Sequence, residues 1–303
     1  MQDYDLVNWL VNNASTTVKF RTLIDIINEP DIGEVGRTFS VLQMEPAIVE
    51  LVESIPDAIN YRTIHSDAHH SFENIMGILF QIGIRAGMQL FDLKTLPYRV
   101  WLKNHTKGRP IDRQIVCAFL ALTGYGQIGP VIRELRERLI ELYDHRKEPS
   151  VYDIIGLTHC SDLMNDDFQR DKIEEIVFRT LQKIDAAKET QITHPDFTLS
   201  GLLVQTNNKP SKALLAFELL APLWVVQNNR WFRNGVRQLE KYRTRQGTYH
   251  FPEDWLKHKE DGYWVGGDYM AMNLQERTQA EIECESTFRA LRIRQLGGLL
   301  RTG

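Results

Sequence analysis

The strongest constraint on the fold is the spacing of apolar residues, which recur at three- and four-residue intervals along nearly the whole chain while alternating runs are almost absent. The first pattern lays an apolar stripe along a helix and the second an apolar face along a strand, so an all-α fold is expected. The spacing predicts helices at 6–10, 18–28, 46–54, 67–86, 98–104, 113–123, 130–143, 151–160, 166–186, 198–205, 211–227, 231–242 and 278–295. Thr16 or Thr17 is placed to cap the second of these. Pro110, Pro130 and Pro210 stand at or just before helix starts, where a missing N–H costs nothing.

Similar elements return along the chain. Asn8-Trp9-Leu10-Val11 leads into the apolar run at Val18, and Arg99-Val100-Trp101-Leu102 leads into the run at Arg113, which reads as stacked helical hairpins. No Gly/Ser-rich or charge-block linker divides the 303 residues, so one helical-repeat domain over 1–303 is expected, with an irregular segment at about 243–277.

Composition narrows the function classes. A net charge of −4 offers no basic excess for a phosphate backbone, and Arg133, Arg136 and Arg138 are matched by Glu134, Glu137 and Glu141, so no nucleic-acid partner is expected. Cys117, Cys160 and Cys284 lie far apart, which argues against disulfides or a thiolate zinc cage. The opening Met1-Gln-Asp-Tyr-Asp lacks the positive charge of a signal peptide, and the most apolar tract, 213–226, is interrupted by Glu218 and Pro222, so no membrane span and a cytoplasmic location are expected.

The densest concentration of chemistry is His65-Ser66-Asp67-Ala68-His69-His70. If 67–86 is one helix whose first turn reaches back to His65, the turn of about 100° per residue splits the cluster. His65, His69, Phe72, Met76, Leu79 and Gly83 then share one stripe, with Glu73 and Phe80 at its edge, while Asp67, His70, Asn74 and Gln81 lie opposite. An i, i+4 histidine pair on an apolar face fits core packing, an acid-base pair lining a cavity, or, with Glu73 or a group from another helix, a metal site. No metal and no cofactor is assigned from the sequence.

Two further clusters hold chemistry-bearing residues. Thr158-His159-Cys160-Ser161-Asp162 places a nucleophile beside a base, but adjacent residues of a helix point about 100° apart, so helix-end charge for His159 and burial for Cys160 are expected instead. The last helix carries Glu281, Glu283 and Glu285 with Arg289 and Arg292, and is apolar on two sides, as an inner helix would be. Glu285 and Arg289 are spaced for an ion pair, although a carboxylate facing a cavity could also serve in acid-base work.

From Arg243 the chain runs through Gly247, Tyr249, Phe251-Pro252, Asp254-Trp255 and Gly262-Tyr263-Trp264, then closes with Glu283-Cys284-Glu285-Ser286-Thr287-Phe288-Arg289-Ala290-Leu291. With the opening Trp9-Leu10 and Val18-Lys19-Phe20-Arg21-Thr22-Leu23, this resembles a group of bacterial squalene cyclase-like or prenyltransferase-like proteins. The resemblance implies an α/α toroid of the terpenoid cyclase and protein prenyltransferase type, with inner and outer helices alternating around a central cavity. It does not carry those activities. The Asp-x-Asp-Asp acid of class II cyclases is replaced at Met164-Asn165-Asp166-Asp167, and no zinc triad of Asp, Cys and His can be laid over the cysteines.

The resulting expectation is a central small-molecule pocket with His65, His69 and Glu285 as proton carriers and Tyr263, Trp264, Asp268 and Phe72 as ligand contacts. The ligand would be carbohydrate-like or isoprenoid-like. An open HEAT-like solenoid that binds another protein is the alternative; there the first and last helices would lie far apart.

Overall fold

A computed structural model describes residues 3–27, 31–57, 59, 61–104, 109–186, 197–206, 209–274 and 277–300. Met1 and Gln2 of the N-terminal reading, Asn28 at the end of the expected 18–28 helix, and residues 275 and 276 of the expected irregular segment lie outside these. The described residues are helical with no β-strand, only four isolated bridges, as the apolar period requires.

The helices fall into two classes by burial. Phe72–Ile82 is buried at every residue but Phe80, Val151–Thr158 at every residue but Thr158, and Gln279–Leu296 from Cys284 through Leu291. Gly129–Asp144, by contrast, buries one stripe, Val131, Leu135, Leu139 and Leu142. The first class forms a chain of contacts. Thr16–Arg21 packs on Phe72–Ile82, that on Pro110–Leu120, that on Val151–Thr158, and that on Leu199–Gln205 and Pro210–Leu220. Pro210–Leu220 packs on Gln279–Leu296, which returns to Thr16–Arg21. The first helix, Asp3–Asn13, lies against the last, and Arg294 pairs with Asp3 at 2.9 Å. No described helix is long and apolar enough to cross a membrane.

Several boundaries differ from the apolar spacing. The expected 67–86 helix is shortened to Phe72–Ile82, capped by Ser71, whose hydroxyl accepts the Asn74 N–H at 3.3 Å, and stopped by Gly83 at φ +100°. The expected 211–227 helix breaks into Pro210–Leu220 and Trp224–Gln227 around Pro222, which has no N–H to continue the ladder. The helix expected at 98–104 begins earlier, as Gln89–Asn104, and Ile32–Leu42 is an additional helix capped by Asp31.

The 243–274 part of the expected irregular segment holds only two short 3-10 turns, Glu253–Trp255 and Trp264–Gly266. It crosses the last helix, where the Tyr249 and Phe251 N–H groups donate to the hydroxyls of Thr287 (2.9 Å) and Ser286 (3.0 Å). It then drives Trp264 against Phe72–Ile82. The indole rests on Gly77, where a β-carbon would lie 2.2 Å from it, so only glycine admits this contact.

Candidate functional site

Residues 65 to 71 are not helical, so the predicted i, i+4 histidine face does not exist. Main-chain bonds explain why. Ala68 bridges to Asp261, the Gly262 N–H donates to the Asp67 carbonyl at 2.9 Å, and Asn74 Nδ2 donates to the carbonyls of Ala68 and Gly262, each at 2.9 Å. These bonds hold the histidine turn against the irregular segment and leave Asp67 and His70 exposed. Within the turn His65 and His69 are partly buried, whereas Asn74 and Gln81, expected opposite the apolar stripe with Asp67 and His70, are buried.

His65 reaches inward to Glu73 in the first turn of Phe72–Ile82. Its Nδ1 lies 2.8 Å from Glu73 Oε2, and the Tyr152 hydroxyl donates to the same oxygen at 2.9 Å. Tyr152 is brought there by the start of Val151–Thr158, fixed by the Ser150–Asp153 capping box. Reciprocal bonds, Val151 N–H to the Phe197 carbonyl (2.8 Å) and Leu199 N–H to the Pro149 carbonyl (2.9 Å), set Phe197 beside it. The His65 ring thus faces Phe197 at 4.6 Å, Tyr263 at 5.0 Å and Tyr152 at 5.8 Å between centroids.

The electrostatics of this group are uneven. Glu73 is fully buried, and burial pushes its carboxyl above the usual range, against the hydrogen bonds and charge of His65 and the bond from Tyr152. Burial, then the Glu73 charge, pushes the Tyr152 phenol well above its ordinary value. Glu73 Oε1 is buried without a hydrogen bond of normal geometry; the Val265 amide faces the carboxyl from the irregular segment. When Glu73 is ionised its oxygen only accepts, and the proton of this bond then sits on Nδ1. Nε2 has no partner among the described residues, and the side chain remains 16% exposed. One ring nitrogen is thus held by a buried acid and the other is left open.

The other predicted site residues are placed elsewhere. His69 is half-buried against Tyr269 (5.3 Å), His70 (5.2 Å) and His258 (6.3 Å), and burial, then His70, lowers its pKa. Neither ring nitrogen of His258 has a partner among the described residues, and burial, with His69, Arg277 and Arg289 adding to it, brings that imidazole down to about 4. Glu285 is buried with its oxygens committed to Arg277 and Arg289, each at 3.1 Å. Asp268 binds Lys259 and accepts the Tyr263 N–H at 3.2 Å, so it holds the loop that presents Tyr263. Gly262 permits this, since at φ +145° a β-carbon would sit 2.6 Å from Asp268 Cβ. Phe72 is buried in a stack on Tyr98 at 4.2 Å, and Trp264 is buried against Phe119 and Phe80.

Glu73, at the edge of the predicted stripe, is the residue that pairs with His65, and Tyr152 and Phe197 were not singled out from the sequence. Only the Ser150–Asp153 spacing, which fixes a helix start just before Tyr152, signalled that position. Among the described residues no three His, Cys, Asp or Glu side chains converge as metal ligands. His159 Nδ1 bonds the Ile155 carbonyl at 2.9 Å, but burial brings the imidazole down to about 4, so the charge expected at this helix end is not carried; Cys160 is buried, as expected. No protein-family model, curated protein or solved structure matches the chain.

Proposed function

We propose that this chain is an α/α toroid that binds a small molecule at His65, with His65 as proton carrier, Glu73 and Tyr152 orienting it, and Tyr263 and Phe197 flanking the ligand. The observation that carries this reading is the His65–Glu73 bond of 2.8 Å with Nε2 left unpartnered in an aromatic surround. Closure is supported by the contact of Asp3–Asn13 with Gln279–Leu296, which an open solenoid would separate. The ligand class is carbohydrate-like or isoprenoid-like, since aromatic faces hold either while an imidazole moves a proton. Glu285, held between two arginines, is assigned to packing in this reading and not to proton transfer. A cytoplasmic location accords with three buried, unpaired thiols.

A panel of sugars, glycosides and isoprenoid alcohols, read by thermal shift and turnover, tests the proposal. At least one member stabilises the wild type, Tyr263→Ala weakens its binding, and His65→Ala lowers kcat on a turned-over member by about 10²–10⁴-fold with little change in KM. Ligands that bind Tyr263→Ala as well as the wild type, an unchanged kcat in His65→Ala, or a panel with no binder, would overturn it.

A further inference from the structure

Three guanidinium groups crowd one buried carboxylate beside the C-terminal end of Phe72–Ile82. Arg21 donates to Asp25 Oδ2, Arg85 Nη2 donates to Asp25 Oδ1 at 2.7 Å, and Arg292 Nη2 lies 3.8 Å from the same oxygen. Burial works against the Asp25 charge, yet the three arginines hold its carboxyl far below the usual range. One carboxylate against three guanidiniums leaves two positive charges. Glu218, the other carboxylate acting on Arg292, is bound to Arg289 at 2.7 Å.

Helix-end carbonyls take up part of this donor capacity. Arg21 Nη1 donates to the carbonyls of Phe80 and Gln81, and Arg292 Nη1 to that of Asp25 and to Gln295 Oε1 at 2.8 Å. Among the described residues Arg85 donates to no carbonyl, and its Nε is buried without a partner while its side chain is 36% exposed. Arg292 is 22% exposed beside it. The His159 imidazole senses the same field: burial first, then the charges of Arg85 and Arg292, bring it down to about 4. The unmet charge therefore lies on the side of Arg85 and Arg292 that solvent reaches.

We propose that Arg85 and Arg292, backed by Arg21, form a binding site for a doubly charged oxyanion of the phosphate class, free or as the phosphoryl group of a larger molecule. Buried charge requires a partner, and the planar donors of guanidinium match phosphate oxygens. Phe72–Ile82 separates this site from His65 and Glu73 by about 15 Å, its 11 residues rising about 1.5 Å each, so the two proposals stand apart.

Calorimetry with inorganic phosphate and with phenyl phosphate, in ~0.15 M NaCl, tests the site. One equivalent saturates the wild type, Arg85→Gln weakens binding by about tenfold or more, and Arg85→Lys retains part of it. Tighter phenyl phosphate binding identifies a phosphoryl group on a larger ligand, and tighter inorganic phosphate the free ion; either supports the site. A second measurement needs no variant: phosphate protects Arg85 of the wild type from phenylglyoxal, read by peptide mass spectrometry. Absence of saturable binding, equal affinity in Arg85→Gln, or unprotected Arg85 would overturn the proposal.

Discussion

Replacing Arg289 with methionine is expected to cost about 3–5 kcal/mol of stability, the range for removing one partner of a buried ion network. Arg289 is 1% exposed. Its Nε bonds Glu285 at 3.1 Å, Nη1 bonds Glu218 at 2.7 Å, and Nη2 bonds Gln81 at 3.2 Å and the Met270 carbonyl. Four separate parts of the chain meet on one side chain: the last helix, Pro210–Leu220, Phe72–Ile82 and the irregular segment. Methionine fills much of the volume but leaves two carboxylates near each other, one of them fully buried. Burial already pushes the Glu285 carboxyl up, against Arg289 and Arg277, so losing Arg289 removes the larger opposing charge. Urea denaturation measures the loss, and Arg289→Met with Glu285→Leu recovers part of it because the stranded charge is gone. A cost below about 1 kcal/mol for the single variant would show that the network is not structural.

Trp264→Ala is expected to cost a similar amount, about 3–5 kcal/mol, through lost apolar burial and the cavity it leaves. The indole is fully buried, 5.4 Å from the Phe119 ring and 6.1 Å from that of Phe80, and lies on Gly77. The backbone of the same residue donates to Asn74 Oδ1 at 2.8 Å, so the variant keeps the main-chain anchor and loses the wedge. Denaturation of the variant with and without added indole distinguishes a cavity from general disruption. Indole raises the melting temperature of the variant and not that of the wild type; a variant as stable as the wild type would mean that Trp264 does not hold the irregular segment in place.

Local pairings were legible in the sequence and distant ones were not. The Glu285–Arg289 pair is four residues apart on one helix, so its spacing announced it, and the two-sided apolar pattern of that helix announced its burial. The His65–Glu73–Tyr152 group joins residues 79 apart, and the turn that shapes it is fastened by Asn74 to Gly262, 188 residues away. No period in the sequence records those bonds. Ser71 could be read as a cap, yet the apolar stripe continued through His69 and His65 and favoured a longer helix than the bonds to Asp261 and Gly262 allow. Ile32–Leu42 escaped notice because Gly33 and Gly36 weaken its helical signal, while Asp31 caps it with a bond of 2.8 Å to Gly33.

The most direct measurement of the central claim is the tautomer of neutral His65, read from the nitrogen shifts of its imidazole in the ¹⁵N-labelled protein and assigned with His65→Gln. The expected result is a protonated Nδ1 held by Glu73 and an unprotonated Nε2, with loss of that preference in Glu73→Leu. A protonated Nε2 with a bare Nδ1 would mean that Glu73 donates the proton, and would contradict His65 as the base of this site.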